Sequence, residues 1–211
     1  WLSEEAAREK WGGDFDGWER RIEEAVAATD GQVALYDGQP IMAVFHSSSA
    51  GKTAGAGDVW SGDVPYLRSV DSPEGEETVP NYYSAAAFSA AEAKSLLAKA
   101  HPELTLSGGP DRWFGAVERD DSGRVRTVEV CGTALRGVEL RRIFALRSAC
   151  FTIDASADKV TFRVTGYGHG VGMSQYGANE LARQGKTWQE ILTWYYADVT
   201  VGPAPEAVQT P

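Results

Sequence analysis

Basic clusters are missing from this sequence, and cysteine and histidine are scarce. Twenty Lys and Arg stand against thirty Asp and Glu, for a net charge of −10. A nucleic-acid or anionic-membrane surface needs concentrated positive charge, so neither partner is expected. No run of about 18 apolar residues occurs, so no membrane-spanning helix is expected. A signal-peptide pattern is lacking too. The chain opens on Trp1-Leu2-Ser3 without an initiator Met, which we read as a mature form or an excised piece of something longer. The two cysteines, Cys131 and Cys150, form no Cys-x-x-Cys pair, and His46, His101 and His169 are far apart. That spacing composes no structural zinc site, and no cofactor is expected. Each cysteine reads either as a small buried thiol or as half of a disulfide, which suits a place outside the cytoplasm.

Apolar residues are plentiful, at 43% of the chain, so a core can form. Seven Trp and eight Tyr are many for 211 residues. Most belong in the core, but exposed aromatic rings also stack on sugars.

The order of elements reads as mixed. Ser3 caps a short helix through Lys10, closed by Gly12-Gly13. Asp16-x-x-Glu19 resembles a capping box opening a second helix. Asp37-Gly38 is a primed-turn dipeptide between strands 32–36 and 39–45. Residues 65–70 read as a strand entering a turn at Ser72-Pro73, and 74–83 are acidic and irregular. A helix capped by Ser89 and Glu92 follows, then strands 113–119 and 124–131, then a helix over 138–146. Strand 159–165 leads to a glycine loop and a helix from about Ser174 to Arg183. Thr187-x-x-Glu190 caps the last helix, and the tail from Gly202 reads as loose.

Two segments hold most of the chemistry, 46–53 (HSSSAGKT) and 167–179 (YGHGVGMSQYGAN). Gly51-Lys52-Thr53 and Gly185-Lys186-Thr187 look like ends of a phosphate loop. The required first glycines are His46 and Glu180, so both fail. Gly166–Gly172 has every second residue glycine, not the dinucleotide pattern, and no βαβ repeat follows. His46 beside Ser47 invites a hydrolase reading with Asp58, Asp63 or Asp71 as third member. No Gly-x-Ser-x-Gly elbow supports it. Gln175, Tyr176 and Asn179 offer amide and hydroxyl groups suited to sugars. Simple capping and solvation would explain them equally.

Phe45–Thr53, Val59-Trp60 and Val64–Val70 closely resemble the first signature block of the SpoIID/LytB domain. Gly166–Asn179, Gly185-Lys186-Thr187 and Ile191-Leu192-x-x-Tyr195-Tyr196 are similar to its C-terminal block. Weaker likeness runs through Trp11-Gly12, Ala25–Gln32, Tyr36–Pro40 and Leu146-Arg147-Ser148. The resemblance implies peptidoglycan remodelling outside the cytoplasm, on the wall or the outer membrane face, anchored by an N-terminal segment absent here. Sporulation members of the family are lytic transglycosylases acting on peptide-stripped glycan strands; others are described as enhancers of a wall amidase. Their catalytic glutamate lies on a Val-x-x-Glu-Met-Pro-like stretch without a counterpart here, and Glu4, Glu5 and Glu9 sit in another context. A zinc site in some relatives uses residues of that same stretch.

By resemblance, the glycan-groove residues are His46, Ser47, Ser49, Lys52, Tyr66 and Arg68, with Tyr167, His169, Gln175 and Tyr176. Tyr66 and Arg68 would hold the acid's geometry or bond the sugar. The expected partners are peptidoglycan glycan strands and other cell-wall hydrolases. The alternatives are a non-catalytic wall-binding or amidase-stimulating module, and a hydrolase with a carboxylate pair, of which no defined pair is visible. The expected fold is α+β, with a core of 1–83 plus 153–202, an inserted α/β lobe at 84–152 and a flexible tail at 203–211.

Overall fold

The computed structural model describes residues 2–205. Helices α1 (Glu4–Trp11) and α2 (Phe15–Ala28) come first, joined by one 3₁₀ turn at Gly12–Asp14. Ser3 caps α1 as expected, accepting from the Ala6 N–H at 3.2 Å. The start of α2 differs from expectation: Asp14 is its cap residue, without a side-chain bond, and Asp16 lies inside the first turn. The cause is Phe15, which is buried with its ring 6.1 Å from that of Trp11. Burying such a ring contributes about 1.5–3 kcal/mol, more than a cap at about 1 kcal/mol.

Strands β1 (Gln32–Tyr36) and β2 (Gln39–Pro40) form the expected hairpin. Asp37 and Gly38 have φ of +48° and +73°, as a primed turn requires. The second strand ends at Pro40 instead of Phe45. Met42 N–H turns to the Tyr66 hydroxyl and Val44 N–H to the Met42 carbonyl, so the ladder stops. Pairing resumes at β3 (Phe45–His46) on another partner. A single turn, α3 (Ala56–Val59), follows. The expected strand at 65–70 is irregular. Its Tyr66 and Leu67 carbonyls accept from Ala197 and Ala56, and its Leu67 N–H bonds back to Val64, so no sheet edge is presented.

Next come β4 (Tyr83–Ser89) and α4 (Ala90–Ala100), the latter with a complete Ser89–Glu92 capping box. Then follow β5 (Phe114–Arg119), β6 (Val125–Val130), β7 (Thr133–Arg136), α5 (Gly137–Ile143), β8 (Phe151–Ala155) and β9 (Lys159–Thr165). The order ends with β10 (Met173–Ser174), α6 (Gln175–Arg183), α7 (Trp188–Tyr195) and β11 (Thr200–Pro203). Thr187 caps the last helix, as expected, and Ser174 caps the one before it.

The fold is therefore mixed α+β, in several small sheets. Three are three-stranded, in the orders β11-β1-β2, β4-β9-β8 and β5-β6-β7, and β3 and β10 make a short parallel pair. The tail corrects one expectation: Gly202 and Pro203 are not loose but pair with Val33 and Gln32 of β1. Residues 206–211 of that tail lie outside the described residues. Cys131 and Cys150 are both free and half-buried, so no disulfide joins them.

Two hydrophobic clusters hold these layers. In one, Phe162 of β9 is ringed by Phe88, Phe114, Phe144 and Phe151, with centroids 4.5–6.2 Å away. The other gathers Ala54, Leu67, Val171, Leu181, Tyr195 and Tyr196. The serine and glycine loops adjoin the second cluster, and Arg124 and Arg147 reach them from the region of the first.

Candidate functional site

The two loops singled out in sequence are stitched together. Ser48 and Tyr167 exchange both backbone hydrogen bonds, at 3.0 and 2.9 Å, and Ala54 N–H donates to the Gly170 carbonyl at 2.8 Å. Phe45 and His46 pair in parallel with Met173 and Ser174. The chains approach so closely that side chains are excluded. At Gly168, φ is +122° and an added Cβ would lie 2.7 Å from that of His46, closer than two carbons can sit.

His46 is buried at the centre of this junction, 4% exposed. Its Nδ1 lies 3.2 Å from the Val171 carbonyl, which can only accept, so Nδ1 holds the proton. Nε2 then accepts from the Ser49 hydroxyl at 2.7 Å. Ser49 is itself fully buried, and the imidazole's other partner is a carbonyl, not a carboxylate. Asp58 pairs with Arg126 and Asp71 with Lys52. The Ser–His contact thus fixes a loop and is no accessible nucleophile–base pair.

His169 lies with its ring 5.7 Å from His46 and 5.7 Å from Trp60. Its Nδ1 accepts from Val171 N–H at 3.1 Å. Burial, then the cationic Arg124, pulls the His46 pKa down to about 3. Burial also lowers that of His169. Both rings are neutral at pH 7.

A carboxylate overlooked in the sequence ties the junction from below. Glu74 is 4% exposed. Its Oε1 accepts from Ser49 N–H at 2.6 Å and from the Ser174 hydroxyl at 2.5 Å. Ser174 also accepts from Gly177 N–H, at 3.3 Å. One carboxylate oxygen therefore joins the serine loop to the start of α6. Arg124 presses in from the other side, 1% exposed. Its Nη1 is 3.5 Å from the Lys52 carbonyl, while Nε and Nη2 find no protein partner among the described residues. In sequence Glu74 is one of several acids in an irregular stretch; Glu76 and Glu77 beside it are exposed.

The structure brings His46, Ser47, Ser49, Tyr167 and His169 together. Tyr176 joins them through its N–H, 3.1 Å from the Ser47 carbonyl, and Gln175 is the exposed first residue of α6. Three others have different neighbours. Lys52 faces solvent and pairs with Asp71 at 3.4 Å. The Tyr66 hydroxyl accepts from Met42 N–H at 3.0 Å, and its ring packs 5.3 Å from Tyr36. Arg68 pairs with Asp198 at 3.0 Å. Among the described residues, no three His, Cys, Asp or Glu converge as metal ligands.

No family model matches the chain. It is 36% identical over 198 residues to stage II sporulation protein D of Bacillus subtilis (strain 168), covering 93% of this chain and 55% of that protein. It is 35% identical over 202 residues to stage II sporulation protein D of Bacillus amyloliquefaciens, covering 96% and 57%. The chain belongs to the SpoIID/LytB family. It spans about half the length of these two family members. A third SpoIID/LytB relative, the amidase enhancer of Bacillus subtilis (strain 168), is 25% identical over 233 residues, covering 87% of this chain and 33% of its own. Among the described residues of this SpoIID/LytB chain, no helix is long and apolar enough to cross a membrane.

The buried histidine gives the family junction a pH limit. In the unfolded chain His46 takes up a proton near its ordinary 6.5, and in the folded chain only near 3. The unfolded state therefore binds more protons between those values. The stability this burial contributes is complete above pH 6.5 and is lost as pH falls towards 3, by at most about 1.4 kcal/mol per pH unit. We expect the melting temperature to fall steadily across this window, and His46→Gln to flatten that fall. A slope unchanged by the substitution would place the titrating group elsewhere.

Proposed function

We propose that this chain forms the greater part of a cell-wall remodelling domain. In it, peptide-stripped peptidoglycan glycan strands lie along the junction of the serine and glycine loops and are cleaved by a lytic transglycosylase mechanism. The junction itself supports this: two polar loops are fixed to each other by backbone bonds and buried side chains, and at their edge Ser47 and His169 are half-buried while Tyr167 stays 47% exposed. A fixed polar surface with an exposed ring suits sugar binding.

In this mechanism a carboxylic acid protonates the glycosidic oxygen. It then takes the proton of the sugar's 6-hydroxyl as that oxygen closes onto the anomeric carbon, leaving a 1,6-anhydro end. The acid is expected on chain upstream of Trp1. Glu74 is a poor candidate, because its Oε1 is already bonded to Ser49 and Ser174 inside the protein; we assign it to positioning. Ser47, Tyr167, His169, Gln175 and Tyr176 would contact sugar, the buried His46 and Ser49 would hold the loops beneath it, and Lys52, Tyr66 and Arg68 would lie at more distant subsites. In this proposal the core comprises 1–83 and 153–202, and the 84–152 lobe joins it where β4 pairs with β9. The protein acts outside the cytoplasm, anchored by an N-terminal segment.

The relative named an amidase enhancer favours a second reading, a non-catalytic glycan-binding or amidase-stimulating module. Incubating the intact protein with peptide-stripped strands separates the two. New 1,6-anhydro ends are expected, and new reducing ends would mean hydrolysis instead. Binding without cleavage, with faster release of stem peptides by an added amidase, would establish the module.

A further inference from the structure

Beside the glycine loop opens a cavity of about 590 Å³, lined by Arg141, Arg142, Arg147, Leu146 and Tyr167 among others. Among the described residues, no Asp or Glu lines it. In a chain of net charge −10, three arginines around one cavity without an acidic neighbour are conspicuous. None of them takes part in an ion pair among the described residues. Arg141 gives its Nε to the Leu146 carbonyl at 3.3 Å. Arg147 lies over the Tyr167 ring, 4.4 Å from its centroid, and its buried Nε has no partner among the described residues.

Helix electrostatics explain part of this and leave a remainder. Arg141 and Arg142 belong to the last turn of α5, where cations complement the helix's negative end. Arg147 lies beyond the helix, so that effect does not reach it. A buried guanidinium N–H without an acceptor is costly unless something outside the chain completes it.

We infer that this cavity binds a carboxylate borne by the glycan strand: the free lactyl group that a muramoyl residue exposes once its stem peptide is removed. This rests on reading the junction as a glycan groove. The cavity adjoins that groove directly. The Arg147 carbonyl accepts from Gly168 N–H at 2.9 Å, and Tyr167, which lines the cavity, has its backbone paired with Ser48. A strand lying on the loops would thus pass the cavity with Tyr167 at its rim. A guanidinium fork matches a carboxylate with two parallel bonds. A strand still carrying its peptide presents a neutral amide there, with a weaker bond and added bulk. The arginines would therefore select stripped strands.

The test is calorimetric titration of the intact protein with three disaccharides: N-acetylglucosaminyl-N-acetylmuramic acid, its lactyl carboxamide, and neutral chitobiose. The acid is expected to bind about tenfold tighter than the carboxamide. The double variant Arg141→Gln, Arg147→Gln should abolish that preference while binding chitobiose as the parent does. Arg147→Lys should retain part of it. Equal affinity for acid and carboxamide overturns the inference, as does a preference that survives in the double variant. Displacement of the acid by inorganic phosphate at lower concentration than by acetate would also overturn it, marking a phosphate site. If none of the three sugars binds the parent protein, the glycan-groove reading itself fails. Binding all three equally defeats only the carboxylate inference.

Discussion

Replacing Glu74 with alanine is expected to cost about 2–6 kcal/mol of folding stability, because it leaves two buried donors without an acceptor. Two donors would lose their acceptor together, the Ser49 N–H and the Ser174 hydroxyl. Each buried donor left unpaired costs about 1–3 kcal/mol. The negative charge that Arg124 senses in this interior would vanish as well. Glu74→Gln should be milder, because an amide oxygen can still accept at the Oε1 position. The difference between the two variants then isolates the hydrogen bonds from the charge. Denaturant midpoints, with slopes checked for constancy, give both values. A loss below about 1 kcal/mol for the alanine variant would show that Glu74 is not holding the loops.

Gly170→Ala should be nearly as damaging, by about 2–4 kcal/mol. With φ at +88°, a Cβ there would overlap the Arg124 guanidinium. Left-handed backbone costs a non-glycine residue about 1–2 kcal/mol, and forcing atoms into a filled interior adds about 1–3 kcal/mol. Arg124, 1% exposed, has no room to retreat. Gly185 provides an internal control. Its φ is also +88°, but nothing lies within 4 Å of an added Cβ. Gly185→Ala therefore reports the backbone cost alone. Arg124→Met combined with Gly170→Ala should recover part of the excess over that control, a coupling of about 1 kcal/mol or more. Equal losses at positions 170 and 185 would mean that the guanidinium is not wedged beneath the loop.

These two residue pairs also mark where sequence reasoning reaches its limit. The capping boxes at Ser89 and Thr187 were legible because both partners lie within one turn. Asp37-Gly38 was legible because its conformation is a local property. The His46 and His169 loops stood out by composition, and the structure joins them. Glu74 and Arg124 had no such mark. Glu74 meets Ser174 across 100 residues and Arg124 meets Lys52 across 72, so only the assembled fold makes them exceptional. The 65–70 segment misled for a related reason. Its Tyr66, Leu67 and Val70 suit a strand, but a strand needs a neighbour with free backbone groups, and here loops take those bonds first.

The pairing of β1 with β11 bears on the order of events during synthesis. Gln32 meets Pro203 and Leu35 meets Thr200, so a strand made early waits for one made some 165 residues later. The sheets β4-β9-β8 and β5-β6-β7 draw their strands from the stretch between 83 and 165 alone, and loop closure there is shorter. The middle of the chain can thus assemble while the ribosome is still working, whereas the loop junction and its β1 scaffold close last. Until residue 203 has emerged, one edge of β1 stays bare, and that interval is when the nascent protein is most exposed to sticking to its neighbours.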